Sequence, residues 1–211
     1  NSVTQQLSNS TTQQLSNSFQ LMINQFTTLT STAIPLKIEN VDTDQIIPAR
    51  FLKATTREGF GKQLFFDWRY DAQGNPKTDF VLNSPDYTGE ILIAGKNFGC
   101  GSSREHAAWA IYGAGFKVVI SSFFADIFRN NALNKGLSES FLAKLFQVVR
   151  SAPSTTVSID LERQTVTLTA TGEQELFEIS PYKKECLLKG YDDVDYLMSI
   201  HHKIEAFEKT R

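Results

Sequence analysis

The amino-acid sequence predicts an α/β domain, and two patterns carry that prediction. A strand-like apolar run over residues 90–96 is followed by a helix-like run over 103–113 and a second strand-like run over 117–121. This order is that of a β-α-β unit, for which a right-handed crossover is expected. Residues 156–161 and 165–169 alternate polar and apolar side chains, as the two strands of a hairpin do. A β-α-β unit and a hairpin in one chain indicate a mixed α/β class.

Before the β-α-β unit, local patterns predict one strand and a long irregular region. Residues 33–38 predict a short strand, and the polar stretch 40–44 predicts a turn whose side chains bond their own backbone. A new segment begins at residue 46. Between residues 53 and 89, glycines, aromatic residues and turn signals predict loops and short elements.

In the second half of the chain, helical spacing of apolar residues predominates. It predicts helices over about 125–133, 140–149, 182–189 and 192–208. The last of these begins at Asp192, which is a favourable N-cap residue.

The N-terminal residues 1–21 are predicted to be a disordered polar extension. The heptapeptide 4–10 recurs at 12–18, and no charged residue precedes Lys37. Such a composition buries too little apolar surface to offset the entropy of ordering. Two interpretations of these residues stay open. Met22 is the true first residue and the residues before it are an extension, or those residues are a genuine flexible tail. Residues 22–211 are predicted to form a single domain.

Charge and cysteine content exclude several classes of function. The formal net charge of −2 argues against a dedicated nucleic-acid-binding protein. No apolar run approaches the roughly 20 residues that span a bilayer. The only two cysteines, Cys100 and Cys186, are far apart in the chain, which argues against a disulfide framework and fits a reducing compartment. An iron–sulfur cluster held by this chain alone is also disfavoured, because such clusters usually take three or four thiolates.

The segment 99–106, Gly-Cys-Gly-Ser-Ser-Arg-Glu-His, carries the most chemical information. It places a glycine-rich turn, two hydroxyl groups and a guanidinium where a helix is predicted to begin. Backbone N–H groups at a helix N-terminus favour negative charge, so the segment could bind a carboxylate or stabilise an oxyanion. Ser102 and Glu105 also fit the S-x-x-E capping box, in which the serine simply caps the helix. Both interpretations stay open, and they are compatible.

Other candidate residues carry weaker signals. Cys100 could be a nucleophile, but no His or Asn partner pattern accompanies it, and a small, backbone-permissive position is favoured. His106 could orient a neighbouring group or simply pack. His201 and His202 are predicted to be solvated rather than metal ligands. The sequence contains neither a P-loop nor a G-x-G-x-x-G nor an HExxH motif.

Four segments in order resemble one family: residues 40–52, residues 59–62 with 66–70, residues 97–107 and residues 123–131. They are similar to the small subunits of the 3-isopropylmalate dehydratase (isopropylmalate isomerase) family, in the aconitase superfamily. The resemblance extends from about Met22 to the C-terminus. It implies a swivelling β/β/α domain of the aconitase type that docks on a separate large subunit.

The resemblance also implies an activity and its partners. The family interconverts 2-isopropylmalate and 3-isopropylmalate by dehydration and rehydration, a step of leucine biosynthesis. The large subunit of the family holds the [4Fe-4S] cluster, so this chain is expected to bind no cofactor or metal itself. The expected partners are that large subunit and a small dicarboxylate, with no nucleic acid and no membrane, in the cytoplasm.

Site residues follow from the resemblance position by position. Ser102 resembles the general base that removes the carbon-bound proton, and Asp44 resembles an active-site carboxylate. The residues similar to substrate-carboxylate contacts are Ser103, Arg104 and Arg50. The turn that would support them contains Gly99, Gly101, Thr43 and His106. A guanidinium and a helix N-terminus suit this chemistry, because proton removal beside a carboxylate builds negative charge there.

Two alternatives stay open. The chain could serve a related hydro-lyase of the citraconate/methylmalate or homoaconitate type, or it could be a non-catalytic anion-binding module. One departure from the family pattern is that Leu137 runs directly into Ser138, where the family usually continues with an apolar strand. A trimmed strand there is expected to alter the packing beside the active-site face.

Overall fold

The structure is a computed structural model that describes residues 25–53, 58–101, 105–124 and 137–209. The predicted disorder of 1–21 and the predicted helix over 125–133 fall outside these ranges. The described residues form two compact units, one of residues 28–179 and one of residues 25–27 with 180–209. The prediction of a single domain over 22–211 stays a prediction.

The larger unit is built on a six-stranded sheet whose order is β3-β2-β1-β4-β5-β6. The first three strands are parallel, and β1 pairs with β4 to begin an antiparallel half. The strands are β1 (Thr28–Leu36), β2 (Ile91–Ala94), β3 (Val118–Ile120), β4 (Thr156–Asp160), β5 (Thr165–Leu168) and β6 (Glu173–Leu176).

The helices of this unit are short except for two. They are α1 (Thr43–Ile46), α2 (Phe60–Gln63), α3 (Phe66–Arg69), α4 (Glu105–Gly113) and α5 (Glu139–Ser151). Helix α4 connects the parallel strands β2 and β3, which confirms the predicted β-α-β unit. The antiparallel pairing of β4 with β5 confirms the hairpin, whereas β6 was not predicted.

The hydrophobic core covers both faces of the parallel strands, as parallel strands require. One face of β1 and β2 contributes Ile34, Leu36, Leu92 and Ala94 to a cluster with Phe60, Phe98 and Ala110. The alternate residues Ala33 and Ile93 are also fully buried. Helix α5 packs against β1 and buries residues spaced to line one helical face, namely Phe141, Leu142, Leu145, Phe146 and Val149.

The smaller unit is helical and corrects one prediction. Helix α6 (Pro181–Lys189) begins at an N-cap serine, Ser180, and ends at Gly190 in the left-handed region. The predicted helix over 192–208 is instead two helices, α7 (Asp193–Ser199) and α8 (His201–Glu208), joined at Ile200. Ile200 leaves helical geometry with a φ of −103° and a ψ of 7°, so a continuous apolar spacing did not ensure a continuous helix. Asp192 caps α7, as predicted.

Candidate active site

The candidate site lies where the three parallel strands end, because the carboxyl ends of parallel strands meet at one edge of a sheet. Three segments extend beyond those ends: residues 37–44 after β1, residues 95–101 after β2 and residues 121–124 after β3. Isolated parallel bridges pair Asp42 with Cys100 and Phe98 with Phe124. The central segment, named here the glycine loop (residues 95–101), is therefore held from both sides.

The segment after β1 is shaped by a capping box. The Gln45 amide donates to Asp42 Oδ1 over 2.7 Å, and the Asp42 amide donates to Gln45 Oε1 over 2.9 Å. These bonds satisfy N–H groups at the start of α1 that have no partner within the helix. They also fix the residues between them, so that Thr43 is buried while Asp44 is exposed.

Backbone hydrogen bonds fasten this segment to the glycine loop. The amides of Gly99 and Cys100 donate to the Val41 carbonyl oxygen over 2.7 and 3.1 Å, and the Thr43 amide donates to the Cys100 carbonyl oxygen over 2.9 Å. The structure thus brings Thr43, Gly99 and Gly101 together. Asp44 lies on the helix that begins at this junction.

Gly101 and Gly95 show two different reasons why the glycine loop needs glycine. Gly101 has a φ of +92°, a backbone conformation that residues other than glycine rarely adopt. A Cβ atom there would still meet nothing closer than Asp42 Cβ and Thr43 Oγ1, both at 3.6 Å. At Gly95 the restriction is steric, because a Cβ atom would lie 2.3 Å from the Ile38 carbonyl oxygen. Residues after β1 and β2 therefore approach more closely than a side chain would allow.

The segment after β3 holds the other side of the loop, and here the structure adds a residue that the sequence reasoning missed. Ser121 Oγ lies 2.8 Å from the Gly95 carbonyl oxygen and 2.9 Å from the Phe123 carbonyl oxygen, and the Phe123 amide donates to it over 3.3 Å. The Phe98 amide donates to the Phe123 carbonyl oxygen over 3.2 Å. The available signal was weak: a serine directly after the third strand of a parallel set.

The three residues after the glycine loop, Ser102, Ser103 and Arg104, lie outside the described ranges, and their roles stay predictions. Helix α4 is described from Glu105 onward. The His106 ring packs 5.4 Å from the Phe60 ring and 4.7 Å from the Trp109 ring, measured between ring centroids. This contact fits the packing interpretation of His106.

Arg50 belongs to a separate cluster. Its guanidinium binds Asp67 through two parallel hydrogen bonds, one of them 3.0 Å from Nη1 to Oδ2 and the other from Nη2 to Oδ1. It also lies 4.7 Å from the centre of the Phe51 ring and 5.4 Å from that of Phe66. The hydrogen bonds from Arg50 hold the pKa of the Asp67 carboxyl below its ordinary value. A substrate carboxylate would have to replace Asp67 to bind Arg50 in the same way.

The remaining predicted features concern metals, histidines and membranes. Within the ranges the structure describes, no group of three His, Cys, Asp or Glu side chains is placed to hold a metal ion. With two cysteines in the whole sequence, the chain does not offer the thiolates that a cluster usually takes. His201 and His202 are exposed, as predicted. None of the described helices is long and apolar enough to cross a membrane.

Chemically, the edge combines exposed carboxylate and backbone groups with a loop that leads into two hydroxyls and a guanidinium. Comparison with known proteins defines the class of this arrangement. The family model of the aconitase C-terminal domain matches residues 23–138, and the LeuD_N model matches residues 143–181. The fold is therefore that of an aconitase-type swivel domain.

Individual relatives define the family within that class. The chain is 60% identical over 193 residues to the 3-isopropylmalate dehydratase small subunit of Cytophaga hutchinsonii, covering 89% of this chain and 96% of that protein. It is 57% identical over 194 residues to the protein of the same name from Christiangramia forsetii, covering 90% and 95%. The crystal structure of 3-isopropylmalate dehydratase (leuD) from Methanocaldococcus jannaschii matches with a TM-score of 0.55 and 26% identity, covering 86% of this chain and 99% of that one. The chain belongs to the family of 3-isopropylmalate dehydratase small subunits.

Proposed function

We propose that this chain is the small subunit of a 3-isopropylmalate dehydratase, a hydro-lyase that works with a large subunit in leucine biosynthesis. The reaction removes a carbon-bound proton and a hydroxyl group from 2-isopropylmalate, which releases water and leaves an alkene. Water then adds back with the positions of hydrogen and hydroxyl exchanged, giving 3-isopropylmalate. The observation that carries the proposal is the 60% identity over nearly the whole chain, together with the glycine loop fastened beside α1.

Within this proposal, Ser102 is the general base. A free alcohol is too weak an acid to supply an alkoxide unaided, so the surrounding donors must stabilise the negative oxygen. The fixed backbone of residues 95–101 supports this role, since the hydrogen bonds to Val41 and Phe123 restrict the chain directly before Ser102. Rigid support of a reacting group is what allows proton transfer at a defined distance.

Ser103, Arg104 and Arg50 are proposed to bind the two carboxylates of the substrate, and Asp44 to organise the reacting groups. Arg104 can clamp a carboxylate with two parallel hydrogen bonds, and the helix N-terminus adds favourable potential. The geometry of Arg50 supports its proposed role, because its guanidinium already binds the carboxylate of Asp67 through two parallel hydrogen bonds. Asp44 is supported by its exposure on α1, directly after buried Thr43.

The proposed complex contains the large subunit, and we assign the [4Fe-4S] cluster to that partner. A Lewis acid of this kind assists departure of the hydroxyl group, and the present chain lacks the thiolates to hold it. The proposal places the complex in the cytoplasm, where reduced thiols are maintained. Each subunit alone is expected to be inactive.

The test is reconstitution with a family large subunit under anaerobic conditions, with ultraviolet absorbance used to follow the alkene. The expected result is a stable complex that forms and consumes the alkene only when both subunits are present. Citraconate and homoaconitate, offered to the same complex, distinguish a related hydro-lyase by its preferred substrate. Anion binding by this chain alone, with no complex and no turnover of any of these diacids, would overturn the proposal.

A further inference from the structure

The side chain of Ser121 occupies an unusual position for a polar group. Among the residues that the structure describes, two polar side chains are buried, Thr43 at 2% exposure and Ser121 at 1%. They lie in the segments on opposite sides of the glycine loop, Thr43 after β1 and Ser121 after β3. A buried hydroxyl costs free energy unless its hydrogen bonds are made, so a specific use for each is expected.

Ser121 makes its hydrogen bonds to backbone atoms that fix the loop. Its hydroxyl lies within hydrogen-bond distance of two carbonyl oxygens. One is that of Gly95, where the loop leaves β2. The other is that of Phe123, which also accepts a hydrogen bond from the Phe98 amide. The Ser121 carbonyl oxygen also accepts from the Leu137 amide over 3.0 Å. One side chain therefore links the exits of two neighbouring strands, and the amide of Phe98 is held next to that link.

The segment after β1 also binds the loop, but at different atoms. The Gly95 amide donates to the Ile38 carbonyl oxygen over 3.1 Å, and the bonds to Val41 and from Thr43 fix Gly99 and Cys100. The Gly95 carbonyl oxygen and the Phe98 amide are instead held from the β3 side. Gly95 lies too close to the Ile38 carbonyl oxygen to carry a side chain. A shift of the Gly95 carbonyl group would therefore disturb its contacts with both Ile38 and Ser121. Dense packing transmits such a shift rather than absorbing it.

We infer that Ser121 is a positioning residue, which fixes the backbone of the glycine loop that leads to the residues proposed to act on the substrate. It touches no substrate itself and acts through the backbone of residues 95–101. This inference rests on the proposed function, and it adds a residue after β3 to a site otherwise assigned to the segments after β1 and β2.

The experiment compares Ser121→Ala with Ser121→Cys and with Val118→Ala in the reconstituted two-subunit enzyme. Val118 is a buried residue at the other end of β3, so its truncation is a control for lost stability. We expect S121A to lower kcat about tenfold or more at a temperature where all variants are folded, since small misplacements of reacting groups are that costly. S121C, with a weaker donor of similar size, should recover part of the loss, and V118A should retain its kcat despite a lower Tm.

A second readout follows the loop without catalysis. Amide hydrogen exchange of the peptide covering residues 95–101 should be faster in S121A by about fivefold or more, and unchanged in V118A. Wild-type-like kcat or wild-type-like exchange in folded S121A would overturn the inference. If S121A does not fold, S121C decides: a reduced kcat with faster loop exchange supports the inference, and wild-type values of both refute it. An inactive wild-type complex would instead count against the proposed function, while the exchange measurement would still test the loop.

Discussion

The Thr43 amide lies 2.9 Å from the Cys100 carbonyl oxygen, and this hydrogen bond continues the parallel pairing of β1 and β2 beyond the last residues of both strands. It ties the first turn of α1 to the residue before Gly101. Two segments separated by more than fifty residues in the sequence thus become one rigid edge. The consequences of that edge can be tested at single positions.

Gly101→Ala tests the conformation that leads into Ser102. The φ of +92° costs a non-glycine residue about 1–2 kcal/mol, so the variant should be less stable by that amount. Relief of the strain would rotate the chain before Ser102, and kcat of the reconstituted enzyme should fall by about 100-fold. Chemical denaturation and steady-state kinetics measure the two effects.

Gly74→Ala is the matched control for this prediction. Gly74 has a φ of +85°, and no atom lies within 4 Å of a Cβ placed there. It should therefore lose similar stability without losing activity. If G101A and G74A were equally active, the conformation of Gly101 would have no special bearing on catalysis.

The elements that the sequence predicted well are those whose burial pattern is local. The apolar run 90–96 and the alternation at 156–169 have counterparts in β2, β4 and β5. Strand β6 was missed because its sequence, Glu-Gln-Glu-Leu, is polar and its Leu176 is 71% exposed at the edge of the sheet. Its pairing with β5, rather than its own composition, makes it a strand.

The site shows the same division between local and long-range information. The turn at 40–44 was predicted from its polar residues, and the capping box is a local pattern. The partner of Arg50 could not be predicted, because Asp67 is brought to it by the fold across 17 residues. Ser121 gave no signal beyond its place after a strand, since its hydrogen bonds reach a different strand exit.

Arg104→Ala tests the proposed clamp on a substrate carboxylate. The expected result is a loss of kcat/KM equivalent to about 2–5 kcal/mol, with a sharp rise in KM, because a desolvated carboxylate would lose its partner. Arg104→Lys is the matched variant: it keeps the charge but not the two parallel hydrogen bonds, so its kcat/KM should be intermediate. A kcat/KM for R104A near the wild-type value would contradict the clamp.

Ser102→Ala separates catalysis from helix capping. If Ser102 is the base, turnover should vanish while the complex with the large subunit forms normally, as measured by size-exclusion chromatography. If the serine only caps α4, the variant should instead lose about 1 kcal/mol of stability and remain active. Substantial residual turnover would therefore assign Ser102 to the cap.

Ser138→Ala tests the start of α5, the helix that covers one face of the sheet. Ser138 Oγ accepts from the Phe141 amide over 3.2 Å and donates to Glu175 Oε2 over 2.6 Å. Loss of the cap should destabilise the protein by about 1–2 kcal/mol. Thermal denaturation of S138A beside Ser151→Ala, which removes an exposed hydroxyl at the other end of the same helix, provides the comparison. Equal Tm values for the two variants would contradict the assigned cap.

Asp67→Asn tests whether Asp67 occupies a site that the substrate needs. Both side chains of the Arg50–Asp67 pair are more than half exposed, so their contribution to stability should be small, about 0–1 kcal/mol. The pKa of Asp67 is lowered in the folded protein, chiefly by the hydrogen bonds from Arg50. A lowered carboxyl pKa contributes stability above the unfolded value of about 3.9, and that contribution disappears as the pH falls through the lower folded value. The free energies of unfolding of wild type and D67N should thus differ slightly at pH 7 and become equal in strong acid.

The kinetic part of the same experiment addresses Arg50 directly. If Arg50 binds a substrate carboxylate, Asp67 competes with that carboxylate, so D67N should lower KM while Arg50→Ala raises it. Glu185→Gln removes an exposed ion pair with Lys189 that has no proposed role in binding, and it should leave KM unchanged. Steady-state kinetics at pH 7 on the reconstituted enzyme distinguishes the cases. Unchanged KM values in both D67N and R50A would show that the pair serves the fold around Phe51 and Phe66 rather than the substrate.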